Sequence, residues 1–248
     1  MDTRLELDEA ILHGTPLLDD QECAEVVQTL FSLREHWTRR GLDFFTLGVN
    51  SYQDHFPSPD PGSTYFDASR LTNLLLKQHF GWLLDRVRLH IEEELQCRSQ
   101  FDDSLALPGF HIFLHEGIPV KNSASVHFDQ QYEAFAGRLY DPDADAEPQT
   151  VSFTLPLELP ANGGGLNYWP FSVAALESKT ADAEADDSPD LGLRTRGRFY
   201  PYTIGHVVLH SGKILHQIAG VTPILATDRR VTLQGHGILR EGVVWLYW

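Results

Sequence analysis

Apolar positions recur at two different periods along this chain, and the change of period divides it. Val26, Val27, Leu30, Leu33 and Trp37 fall at roughly helical spacing behind Asp19 and Asp20, which are suited to open a helix. An amphipathic helix is predicted there. The stretch GLDFFTLGVNSYQDHFPSPDPGSTYF that follows ends in a Pro, Gly and Ser cluster, so it reads as irregular chain that wraps the core or approaches a site. A second helix is predicted from about Ala68 to Leu95, with Leu71, Leu74, Leu75, Leu83, Val87, Ile91 and Leu95 on or near one face and Gly81 as a point of interruption.

From Leu105 the period shortens. GFHIFL, TVSFTLPLEL, GHVVLHSG, KILHQIAG, RRVTLQGHGIL and VVWLYW are short, β-branched or aromatic, and separated by turn signals, which predicts at least six strands. Helices followed by strands imply an α+β, mainly β fold: a β-sandwich or jelly roll with helices covering one face. The run from Ser172 to Arg198 is small and acidic, with no large apolar residue between Leu176 and Leu191. It cannot order itself by burial, so it reads as a mobile insertion placed to act as a lid.

Composition narrows the picture. A chain of 248 residues, 42% hydrophobic and without a dividing linker, predicts a single domain over 1–248, with mainly helical support over about 1–100 and a β core over about 105–248. The formal net charge of -16 argues against a nucleic-acid partner, which needs a basic track. Cys23 and Cys97 make no disulfide framework and are expected to be reduced. No apolar run is long enough to span a bilayer and the first residues lack a signal pattern, so no membrane partner and a cytoplasmic location are the default expectations.

The candidate chemistry begins in SVHFDQQY. On an extended strand, His127 and Asp129 would point to one face while Phe128 packs on the other. One imidazole and one carboxylate could then touch one ion. The best third ligand is His216 in LHSGKILHQIAG; His210 and His236 are weaker alternatives. Two imidazoles and a carboxylate on one face of a metal leave the opposite positions open, which suits non-haem Fe(II). Beyond His216, Arg230 and Thr232 share a face of a predicted strand and form a carboxylate clamp, because a buried guanidinium requires an anion. Arg229 fits a surface position better.

This order, His-x-Asp, a distant His, then Arg-x-Thr, resembles the Fe(II)/2-oxoglutarate dioxygenase superfamily over about Leu105 to Ile238. The resemblance implies a double-stranded β-helix, a form of jelly roll, with N-terminal helices packed on the major sheet. It implies Fe(II) held by His127, Asp129 and His216, with 2-oxoglutarate as co-substrate, its far carboxylate on Arg230 and Thr232, and O₂ as the oxidant. Hydroxylation of a small-molecule C–H bond with release of succinate and CO₂ is the implied reaction. Retention of Asp129, where related halogenases carry Gly or Ala, argues against halogenation. The overall size and TLGVNSY, Thr46 to Tyr52, also resemble a group of small enzymes acting on free amino acids.

Glu116, Tyr132, Asn167 and Trp169 lie near these motifs in sequence and are the candidate substrate contacts, each with a bland alternative as a solvated or packing residue. Gly163 to Gly165 read first as a tight turn. Two rival readings remain: a cupin-like metal enzyme that does not use 2-oxoglutarate, and a non-catalytic β-sandwich binding module. The former is disfavoured by Arg230-x-Thr232, and the latter predicts no convergence of His127, Asp129 and His216.

Overall fold

A computed structural model describes residues 12–54, 61–121, 123–141, 143–144, 148–169 and 197–248, with only the backbone at 61–64. Almost all of the acidic insertion, 170–196, lies outside the described residues, so the lid expectation is not addressed by them.

The chain opens with strand β1 (His13–Pro16) and helix α1 (Asp20–Ser32). Asp19 caps α1 through a reciprocal capping box with Glu22, satisfying backbone N–H groups that the first turn leaves free. Cys23, Val26, Val27 and Leu30 form its buried face, as the helical period predicts. The next stretch is more regular than its composition suggests. Strands β2 (Thr38–Gly41) and β3 (Phe44–Leu47) form a hairpin, followed by a single helical turn, α2 (Ser51–Asp54).

Helix α3 (Pro61–Leu95) kinks at Phe80, whose φ of -129° is not helical, beside the Gly81 at which interruption was expected. Its buried face differs from the leucine pattern. Leu71 and Leu74 are 74% and 68% exposed, whereas Ser69, Asn73, Leu76 and Phe80 are buried. Asn73 faces inward because its amide bonds both the Leu105 carbonyl (2.8 Å) and the Leu107 N–H (2.9 Å). A buried amide satisfied at both ends replaces the leucines at those positions.

Two sheets follow. The major sheet has nine strands in the described residues: β1, β9 (His206–His210), β6 (Thr150–Glu158), β11 (Arg230–Arg240), β5 (Gly109–Phe113), β3 and β2 in spatial order, with β12 (Val243–Tyr247) and β4 (Arg98–Phe101) continuing beside β11. The long β11 serves two neighbours on one edge, pairing first with β5 and then with β12. The minor sheet holds β10 (Leu215–Ile218), β7 (Gly165–Trp169) and β8 (Arg198–Pro201). All six predicted strands are present, and the architecture is a jelly roll with the main apolar core between the helices and the major sheet. Among the described residues, no helix is long and apolar enough to cross a membrane.

Candidate active site

His127 and Asp129 lie on a loop instead of a full strand, reduced to one antiparallel bridge between His127 and His216 of β10. Reciprocal backbone hydrogen bonds join those two residues at 2.9 Å, and the Asp129 N–H donates to the Gly212 carbonyl at 2.9 Å. These contacts bring the three side chains together: one ligand atom from each of His127, Asp129 and His216 lies within 4.8 Å of the others. Asp129 Oδ1 is 3.8 Å from His127 Nε2 and 3.6 Å from His216 Nε2.

The tautomers are set from behind. His127 Nδ1 lies 3.2 Å from the Ser125 carbonyl and His216 Nδ1 lies 2.7 Å from the Ile214 carbonyl. A carbonyl can only accept, so both Nδ1 atoms carry a proton, and Nε2 is the nitrogen of each ring turned to the Asp129 carboxylate and able to ligate a metal. Two imidazole nitrogens and a carboxylate converging on one point form a donor set. The donor set therefore fits a divalent metal. Burial alone would raise the Asp129 pKa, but the surrounding imidazoles, His216 foremost, hold it well below the usual carboxylate range. The weaker candidates are also near: His210 Nε2 and His236 Nδ1 lie 3.7 and 4.0 Å from Asp129 Oδ2. Gln131, which sequence reasoning passed over, donates to Oδ1 at 3.3 Å.

The anion side is built in the major sheet. Arg230 and Thr232 pair with Phe113 and His111 of β5 and point to the same face, as two-residue alternation requires. Arg230 is only 1% exposed, and its three guanidinium nitrogens and the Thr232 hydroxyl have no hydrogen-bond partner among the described residues. Native proteins rarely leave such donors unpaired, and an unpaired buried charge is more costly still. Desolvation lowers the Arg230 pKa from an ordinary value so high that the group stays charged. The group fits a carboxylate. Arg229 turns the other way and pairs with Glu158 at 2.7 Å, matching the surface position assigned to it.

Both sides open into one cavity of about 520 Å³, lined by His127, Asp129, His216 and Arg230 together with Phe44, Tyr52, Gln53, His111, Phe113, Gln131 and Tyr202. Phe44 stacks on Phe113 at 4.2 Å and 5°, giving Arg230 an apolar floor. Tyr52 reaches His111 Nε2 at 2.5 Å, held there because Arg40 clamps Asp54 of α2 with bonds of 2.7 and 2.6 Å. Burial depresses the His111 pKa to about 3, so it is neutral.

The four substrate candidates fall elsewhere. Glu116 is exposed on a 3₁₀ turn, and Tyr132 packs edge-to-face on Tyr140. Asn167 and Trp169 stand opposite Gln217 and Leu215, on the face of the minor sheet turned away from His216. Leu166 and Ile218 occupy the face that lines the cavity. Tyr52, Gln53, His111 and Tyr202 were not anticipated. An imidazole in the apolar strand GFHIFL was the only signal for His111, and core histidines give the same signal.

No known family and no curated protein matches the sequence. Solved structures do resemble it in fold. One is an N-substituted L-amino acid dioxygenase from Burkholderia ambifaria in complex with 2-oxoglutarate: 14% identity, 96% of this chain and 86% of that chain covered, TM-score 0.60. Another is EvdO2 from Micromonospora carbonacea complexed with 2-oxoglutarate, at 16% identity, 94% and 87% coverage and a looser TM-score of 0.47. The first overlay gives the chain the fold of that 2-oxoglutarate-bound dioxygenase, in line with the jelly roll expected from its motifs.

Proposed function

We propose that this chain is an Fe(II)- and 2-oxoglutarate-dependent oxygenase that hydroxylates a C–H bond of a small molecule, an amino acid or amino-acid derivative. The observation that carries this reading is Arg230, buried without a hydrogen-bond partner among the described residues and lining the same cavity as the convergent His127, Asp129 and His216, with the Thr232 hydroxyl likewise unbonded on the same face of β11. A metal site alone would not call for a buried guanidinium, and a binding module would call for neither. The cavity has the size of a small-molecule site. The amino-acid class draws its support from the fold neighbour that acts on N-substituted L-amino acids.

In this reading His127 and His216 would hold the ion through Nε2 and Asp129 through its carboxylate. Arg230 and Thr232 bind the far carboxylate of 2-oxoglutarate by charge-assisted hydrogen bonds. Bound iron, with 2-oxoglutarate and O₂, supplies the oxidising power to replace a substrate C–H by C–OH while 2-oxoglutarate becomes succinate and CO₂. The protein holds the reactants together, and Phe44, Phe113 and Tyr202 keep water from that end of the cavity. Protein loaded anaerobically with Fe(II) and 2-oxoglutarate, then given O₂ and a panel of amino acids and N-substituted amino acids, should form succinate in step with a hydroxylated product. Absence of succinate under every condition contradicts the proposal.

A further inference from the structure

His210 ends β9 almost fully buried, and its ring faces the far side of the Asp129 carboxylate. The Gly212 N–H donates to its Nδ1 at 3.1 Å. A ring nitrogen that accepts an N–H bears a lone pair and no proton, so this imidazole is neutral and carries its proton on Nε2. His127 and His216 have the reverse arrangement: Nδ1 donates to a carbonyl, which leaves Nε2 as the nitrogen that can ligate. His210 is therefore no spare ligand: the nitrogen it turns to Asp129, 3.7 Å from Oδ2, is an N–H and not a lone pair. His236 does not duplicate it, being 4.0 Å from Oδ2 through Nδ1, which Ser152 Oγ engages at 3.1 Å.

The turn after β9 joins these contacts. Its Gly212 carbonyl accepts the Asp129 N–H at 2.9 Å while its own N–H fixes the His210 tautomer. Main chain and side chain of Asp129 are thus referenced to one residue. Resting on the metal reading above, we infer that His210 is a positioning residue that turns Asp129 Oδ2 toward its Nε2–H and so presents Oδ1 alone to the ion. Asp129 then ligates through one oxygen and leaves a coordination position free for the co-substrates.

The test uses the full chain loaded with Zn(II) and labelled with ¹⁵N in its imidazoles. His210 should show a protonated Nε2 and an accepting Nδ1, while His127 and His216 show protonated Nδ1 and metal-shifted Nε2. Zn(II) affinity, read by chelator competition, should fall roughly 10- to 100-fold in His210→Phe. It should return most of the way in His210→Gln, whose amide N–H can reach toward the carboxylate as Nε2–H does. A metal-shifted or unprotonated His210 Nε2, or a Gln variant no better than Phe, overturns the inference. Where the Phe variant does not fold, the tautomer pattern of the unaltered chain decides alone. Loss of the metal shift at His127 and His216 would instead sink the proposed function, so the two failures are distinguishable.

Discussion

Arg230 and Thr232 sit on β11, where Val231 and Thr232 are paired with β5 on one side and β6 on the other, whereas His127 and Asp129 sit on a loop tied to β10 by one bridge and to the β9 turn by one further hydrogen bond. Backbone pairing fixes the anion end, with or without a bound carboxylate. The candidate metal end is a meeting of two chain segments, the His127–Asp129 loop and β10, whose three side chains converge without a ladder between the two to fix them. Rigidity is thus supplied by the sheet at one end and should be supplied by the ion at the other.

The largest expected effect breaks the metal end alone. Ala at His127, Asp129 or His216 should remove Co(II) binding and turnover while leaving the melting temperature of the metal-free protein close to that of the parent, because the major sheet does not depend on them. At the other end, Arg230→Met should raise the 2-oxoglutarate requirement by a factor corresponding to about 2 to 5 kcal/mol, with Arg229→Met nearly silent. An equal effect of both would place the strand register one residue off.

Metal binding itself sharpens the contrast. At a hundredfold excess over Kd, Zn(II) should stabilise the chain by about 2.7 kcal/mol in thermal unfolding. Hydrogen exchange should slow around His127–Asp129 and Gly212–His216 and stay unchanged in β5 and β11. Gly212→Ala probes the tie between them: Gly212 has φ +77°, and a Cβ there would lie 3.2 Å from Ser152 Oγ and 3.3 Å from the Asp129 carbonyl. Strain of about 1 to 3 kcal/mol should appear as a lower melting temperature together with weaker Zn(II) binding.

A further effect concerns pH. His111 has a folded pKa of about 3, below its unfolded value of about 6.5. Between those values the unfolded chain holds a proton that the folded chain lacks, so stability declines as pH falls through that window, by up to about 1.4 kcal/mol per unit. His111→Phe should flatten this part of the pH–stability curve measured by urea unfolding.

The difference between the two ends also explains what the sequence could convey. Arg230 and Thr232 were legible because two-residue alternation on a real strand decides which side chains share a face, and it separated Arg230 from Arg229. His127 and Asp129 converge by a bridge and a turn, so the strand assumed for them was absent although the cluster formed. Strand β2 escaped notice because TRRG is an edge strand, mostly exposed and polar, which is how edges avoid pairing with other chains. In β7 the parity was missed: Asn167 and Trp169 are neighbours of the site in sequence, but Leu166 faces the cavity. Tyr52 reaches the cavity through the Arg40–Asp54 pair, a contact no local pattern announces.

In the proposed reading both ends of the cavity serve one co-substrate. Pyruvate carries the 2-oxo acid group of 2-oxoglutarate but lacks the far carboxylate, so the two ligands separate the ends. Titrating each anaerobically into the Fe(II)-loaded protein, and following the visible absorption that 2-oxo acid chelation produces, gives the two affinities. The parent should bind 2-oxoglutarate far more tightly than pyruvate, and Arg230→Met should erase that preference by weakening 2-oxoglutarate and leaving pyruvate unchanged. A preference that survives in Arg230→Met would show that Arg230 does not hold the far carboxylate.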